Sequence, residues 1–235
     1  MKIACAWEHN GNDTLLHAIT CPGAFTRGAN FAAAIEKMPV EVRSYLLWKG
    51  VPTPQEIAVE IAEDYPCELA VCDADSDILF HSEKDPLDPD EYLQLKALAL
   101  QSARDFLYLY RSIPDKHRSC QPERKTFYGF VPRTAEEMYQ HTKNVNAYYF
   151  GEIDVPASND GTILDCRLEG FALLEKMPDF LSNPIHAGSY GEGWTLRKVL
   201  RRFLWHDRIH AKAMYRMAVE IFGCDRIPDP FRFAL

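Results

Sequence analysis

The sequence predicts two unlike parts. One is an α+β module over residues 1–84, with β-β-β-α-β order and an antiparallel sheet against a helix. The other is an all-α four-helix bundle over residues 85–235. Two observations separate them. Before about residue 85, short apolar and partly alternating runs are divided by turn-rich pieces, whereas after it long three- and four-residue periods dominate. Between them, residues 83–90 form a short acidic linker punctuated by Asp85-Pro86 and Asp88-Pro89.

In the first part, residues 1–7 and 15–20 read as strands on either side of a turn that holds an Asn-Gly pair. Cys21-Pro22-Gly23 marks a second turn, and residues 24–28 a third extended piece. Asn30 then caps a helix over 31–48, with Pro39 expected to kink or divide it. Thr53-Pro54-Gln55-Glu56 reads as another helix start, with a capping residue, a proline at the first helical position and a capping-box glutamate. Residues 69–73 and 78–80 supply the remaining strand material.

In the second part, Asp88 caps a long helix opened by Pro89 and running to about Arg111. Residues 115–132 are irregular. Thr134-Ala135-Glu136-Glu137 is a capping box for the second long helix. The third covers about 161–177 and ends at Pro178. The fourth runs from near Trp194 to Phe222, stopped by Gly223 with Pro228 and Pro230 beyond.

The chain has 235 residues, 47% hydrophobic and 26% charged, with a formal charge of −8. That acidic balance speaks against a nucleic-acid partner. No apolar run approaches the ~20 residues of a bilayer-spanning helix, and the N-terminus has no signal-peptide core. Seven scattered cysteines without a C-x-x-C pair fit buried free thiols better than disulfides or a thiolate zinc site. The expectation is a cytoplasmic protein.

The chemistry concentrates in histidine. His206 and His210 stand four apart, so a helix projects both rings from one face. They continue the stripe Leu196, Val199, Phe203, Met214, Met217, which a bundle buries. His141 lies on a second such stripe with Met138, Val145 and Tyr148. Imidazoles on apolar stripes need partners, because burying a polar ring unpaired costs free energy. They are either core histidines bonded to carbonyls or tyrosines, or ligands of a divalent metal. A three-histidine set with an open fourth position is the pattern of reactive zinc sites, and nickel or iron also accepts imidazole. No H-E-x-x-H is present, which disfavours a metalloprotease.

Three other features are weaker. Asp73, Asp75 and Asp77 lack the glycine and terminal glutamate of an EF-hand. Arg197, Lys198, Arg201 and Arg202 form either a solvated helix face or an anchor for an anion or thiol carboxylate at the site mouth. Residues 188–193, with three glycines, read as a loop able to move over the site.

The segments Arg133-Thr134-Ala135-Glu136-Glu137-Met138-Tyr139-Gln140-His141 and Trp194 to His210 resemble the DinB-like four-helix bundles, over about residues 85–235. The resemblance implies that His141, His206 and His210 ligate a divalent metal (zinc, nickel or iron). It also implies a metal-dependent hydrolase or thiol transferase acting on a small-molecule substrate or thiol, in a homodimer. The stretch from Leu15 to Gly28 with the helix after it is similar to the HicB-like antitoxin module, over about residues 1–80. That similarity implies an accessory domain sensing a ligand or partner. It also leaves a second functional class, a non-catalytic sensor or binding protein with a structural metal.

Overall fold

The computed structural model describes residues 1–126 and 128–234; Phe127, inside the predicted irregular stretch, and Leu235 lie outside the described residues. The chain begins with three strands, β1 (Lys2–Asn10), β2 (Asp13–Ala18) and β3 (Phe25–Gly28), followed by the helix α1 (Phe31–Trp48) and the strand β4 (Ala58–Pro66). The sheet order is β3-β2-β1-β4. β1 pairs antiparallel with β2, and β2 with β3, whereas β4 lies parallel to β1. The expected β-β-β-α-β order is present, but the sheet is mixed rather than wholly antiparallel. The reason is the connection: a strand entered through a helical crossover returns in the direction of the strand it joins.

Two local predictions fail here. Thr53-Pro54-Gln55-Glu56 starts no helix; the chain there is irregular and leads into β4. A capping box satisfies only a few local donors, while residues 58–66 alternate in burial at every step. Pairing along the free edge of β1 outweighs it. Residues 69–73 and 78–80 are not strands either. Val71–Asp73 forms one 3-10 turn and 78–80 carries no regular element, the strand edge having already been taken by β4. Pro39 does not divide α1, which continues as one element capped by Asn30 accepting from the Ala33 N–H at 2.9 Å.

The helical region contains α2 (Pro89–Ser112), α3 (Ala135–Gly151), α4 (Ile163–Leu174) and α5 (Leu196–Phe222), which pack on one another. Their starts follow the predicted caps. Asp88 accepts from Asp90 and Glu91, and Thr134 and Glu137 complete a reciprocal capping box. Two short hairpins, β5 (Lys125–Thr126) with β6 (Gly129–Phe130) and β7 (His186–Ala187) with β8 (Gly193–Trp194), occupy connections. No helix among the described residues is long and apolar enough to cross a membrane.

The two parts share a core. One continuous apolar cluster includes Ile3, Cys5 and Leu16 of the sheet, Met38 and Tyr45 of α1, Phe106 of α2 and Met214 of α5. Polar contacts reinforce the seam. Glu41 of α1 accepts from Arg208 at 2.8 Å and also pairs with Lys212, both on α5. Glu83 pairs with Arg201. Gly23, at φ +94°, lets the turn before β3 press on α5, where an added Cβ would stand 2.6 Å from Leu204 Cβ. All seven cysteines are free, but only Cys5, Cys21 and Cys166 are buried; Cys72, Cys120 and Cys224 are exposed. The exposed three follow from their positions in turns and loops outside the core.

Candidate metal centre

α5 is the element on which the site depends. Its stripe Leu196, Val199, Phe203, Met214 and Met217 is buried as its period requires. His206 sits in that stripe at 9% exposure, and His210 one turn later is half-buried. α3 packs against this face and brings His141 to meet them. The sequence placed His141 on an inward stripe; Met138 is buried, but His141 itself lies at the solvent edge of the α3/α5 contact. The trio is therefore open on the His141 side and closed beneath His206.

One ring nitrogen from each histidine lies within 4.8 Å of the others. His206 Nε2 and His141 Nε2 are 3.2 Å apart. Ring centroids are 5.0 Å apart for His141–His206, 4.7 Å for His141–His210 and 4.5 Å for His206–His210. Two imidazole nitrogens each ~2.0–2.1 Å from one ion at a tetrahedral angle stand about 3.3 Å apart. The His141–His206 spacing matches that geometry, and the donor set is purely imidazole.

The protonation states also suit a cation. His206 is held well below the usual imidazole range by burial, then by its two histidine neighbours, with Arg202 and Arg167 adding to the effect. His210 is lowered to about 3, first by burial and then by His141 and Arg27. His141 is lowered by burial. All three are neutral near pH 7, with lone pairs available to a metal. His206 Nδ1 is buried with no hydrogen-bond partner among the described residues. No carboxylate among the described residues bonds to any of the three.

Beneath His206, an ionic network fixes α3, α4 and α5 relative to one another. Arg167 of α4 and Asp207 of α5, both fully buried, make a forked pair at 3.1 and 3.2 Å. The same guanidinium donates to Asn146 Oδ1 at 2.7 Å and to the Ala99 carbonyl at 3.2 Å. It lies 3.8 Å from the Phe203 ring centroid. Tyr149 places its ring edge-on to His206 at 6.1 Å. This network was not legible in the sequence. Asp207 beside His206 was visible, but its partner lies 40 residues away on another helix.

The four basic residues before the pair separate into different roles. Arg197 pairs with Glu91, Lys198 with Glu192 at 2.9 Å, and Arg201 with Glu83. Arg202 instead lies among the Trp205, Trp194 and Tyr149 rings and donates to the Ser76 carbonyl at 2.8 Å. Asp73 of the acidic turn is tied to Arg124. The glycine-containing segment 188–193 is the β7–β8 turn, where Ser189 bonds Glu152 through its N–H at 2.7 Å and its hydroxyl at 2.6 Å.

Comparison of the chain with protein-family models, with curated proteins and with solved structures gives no match. The established conclusion is therefore the coarse one: a mixed α/β sheet region joined to four packed helices, with His141, His206 and His210 gathered into a group able to hold a metal ion.

Proposed function

We propose that this chain is a DinB-like metal-dependent protein, a hydrolase or thiol transferase of unassigned substrate, in which His141, His206 and His210 hold one zinc, nickel or iron ion. The observation that carries this reading is the meeting of three neutral imidazoles from two helices, with the His141 and His206 nitrogens 3.2 Å apart and no carboxylate or hydroxyl partner among the described residues to account for them. When bound, such an ion would act as a Lewis acid toward water or a low-molecular-weight thiol at a coordination position not filled by protein. The chain's own part is to orient the rings. α5 holds His206 and His210 one turn apart, the Arg167–Asp207 pair fixes that turn, and the solvent edge at His141 leaves an approach for a small molecule.

Elemental analysis of protein purified without a polyhistidine tag tests the reading. Near-stoichiometric metal is expected in the parent and is lost in the His206→Ala, His210→Ala double variant. At ~1,000 times the dissociation constant, the ion should also stabilise the parent by about 4 kcal/mol and leave the variant unmoved. No metal in the parent after incubation with zinc, nickel and ferrous iron would overturn the reading. A cobalt-loaded centre whose spectrum does not respond to added thiols or anions would turn it toward a structural metal in a binding protein.

A further inference from the structure

A cavity of about 380 Å³ lies where the two parts of the chain meet, and none of its lining residues belongs to the histidine trio. Its walls come from the turn after β2, the residue that ends α1, residues 80–83, and one side each of α2 and α5. Glu91, Gln94, Leu95 and Leu98 follow one another at one-, three- and four-residue steps, so a single face of α2 supplies one wall. Arg197 and Arg201, four apart, share the face that α5 contributes. The volume falls within the range of small-molecule sites.

The lining is apolar within and polar toward solvent. Phe80 and Leu98 are buried, and Ile19 and Leu95 are half-buried. Thr20, Lys49, Ser82 and Gln94 are exposed. A few polar groups around an apolar interior is the ordinary make-up of a ligand site.

The charges of the lining do not balance. Lys49, Arg197 and Arg201 face only two carboxylates, Glu83 and Glu91. Arg197 engages Glu91 in a forked pair and donates to the Asp85 and Pro86 carbonyls as well. Arg201 pairs with Glu83 and donates to the Ile78 carbonyl at 2.9 Å, and the Phe80 ring centroid lies 4.1 Å from its guanidinium carbon. Fixed in this way at 4% exposure, Arg201 still has one group, Nη1, without a hydrogen-bond partner. A buried donor left unmet is costly, and an acceptor carried by a ligand relieves it. Lys49 has no carboxylate within ion-pair distance among the described residues.

We infer that this cavity binds a small amphipathic molecule with an apolar body and a single anionic group. Ile19, Phe80, Leu95 and Leu98 receive the apolar body. The one positive charge in excess sets the sign and size of the charge on the ligand, and Arg201 and Lys49 are the cations with hydrogen-bonding capacity to spare. The site does not depend on the metal centre. Because its walls come from both parts of the chain, an occupant ties the sheet region to α2 and α5.

Isothermal titration calorimetry on the full chain tests this with octanoate, 1-octanol and octyl phosphate, which share an apolar body and differ in charge. Octanoate is expected to bind at least about tenfold more tightly than 1-octanol, the scale of one charge-assisted hydrogen bond. Lys49→Gln, at an exposed position with no acid partner, should leave the melting temperature unchanged. It should weaken octanoate by about two- to fivefold, the scale of an exposed ion pair, and leave 1-octanol unaffected. Leu95→Trp fills the cavity from α2 and should weaken both ligands, with Leu95→Phe as the milder replacement if the first does not fold. No binding of octanoate at millimolar concentration, equal affinity for octanoate and 1-octanol, or octanoate binding that neither Lys49→Gln nor the Leu95 variant alters would each overturn the site. Tighter binding of the more highly charged octyl phosphate than of octanoate would overturn the single charge assigned to the ligand.

Discussion

The chain buries histidine in two places and treats it differently. In the sheet, His17 is fully enclosed beside Glu8, with Nε2 3.4 Å from the carboxylate, and Arg201 and Phe80 close by. Between α3 and α5, three imidazoles meet one another with no acid among them. In the first arrangement a carboxylate of the protein itself partners the buried ring. In the second, one neutral imidazole nitrogen from each ring gathers within 4.8 Å of the others, a group able to hold a metal ion. Burial of an imidazole therefore says little about function until its partners are known. The seam around α1 and α5 extends the contrast, because there each buried cation has found an acid.

The largest break in that contrast comes from removing an acid at the seam. Glu41→Ala strands Arg208, whose side chain is fully buried, and also deprives Lys212 of its partner. A loss of about 3–5 kcal/mol in urea unfolding is expected. A loss under about 1 kcal/mol would mean that the seam's charges are relieved by water, and the contrast with the trio would weaken.

Gly23→Ala acts on the same seam by shape alone. The residue needs positive φ, and the new Cβ would meet Leu204 at 2.6 Å. A destabilisation of about 1–3 kcal/mol is expected. Urea unfolding of the variant checks this, and a loss under about 0.5 kcal/mol would mean that the turn gives way without strain.

The smallest effect sharpens the comparison through pH. Burial lowers the His17 pKa, and Glu8 opposes this only in part. The unfolded chain therefore binds a proton at His17 near pH 6.5 while the folded protein does not. Stability associated with this residue is present above that pH and is lost as pH falls below it, with a limiting slope of about 1.4 kcal/mol per pH unit. In His17→Gln the unfolding free energy measured between pH 7 and 5 should fall less steeply than in the parent. Parallel curves would mean that Glu8 fully compensates the buried ring.

Much of this was legible from residues near one another in the chain. Asn30, Asp88 and Thr134 announce α1, α2 and α3, because a cap is a contact over three residues. The stripe on α5 announced that His206 and His210 face inward together. β4 was not legible, because the Thr53–Glu56 pattern satisfied a local rule while the decisive partner was the edge of β1, more than fifty residues earlier. His141 was found through its stripe, yet α3 buries the adjoining face of Met138, Thr142, Asn146 and Tyr149 and leaves His141 exposed at its edge.

What the sequence by itself determined are the elements that local chemistry can specify: the caps, the amphipathic periods and the one-turn spacing of the histidine pair. Tertiary structure alone decided which distant groups meet. It made β4 parallel, joined Arg167 to Asp207, and brought His141 within 3.2 Å of His206. Backbone propensity and capping act over a few residues, whereas ion pairs, ligand sets and sheet edges are satisfied by whatever the packed core brings together in space.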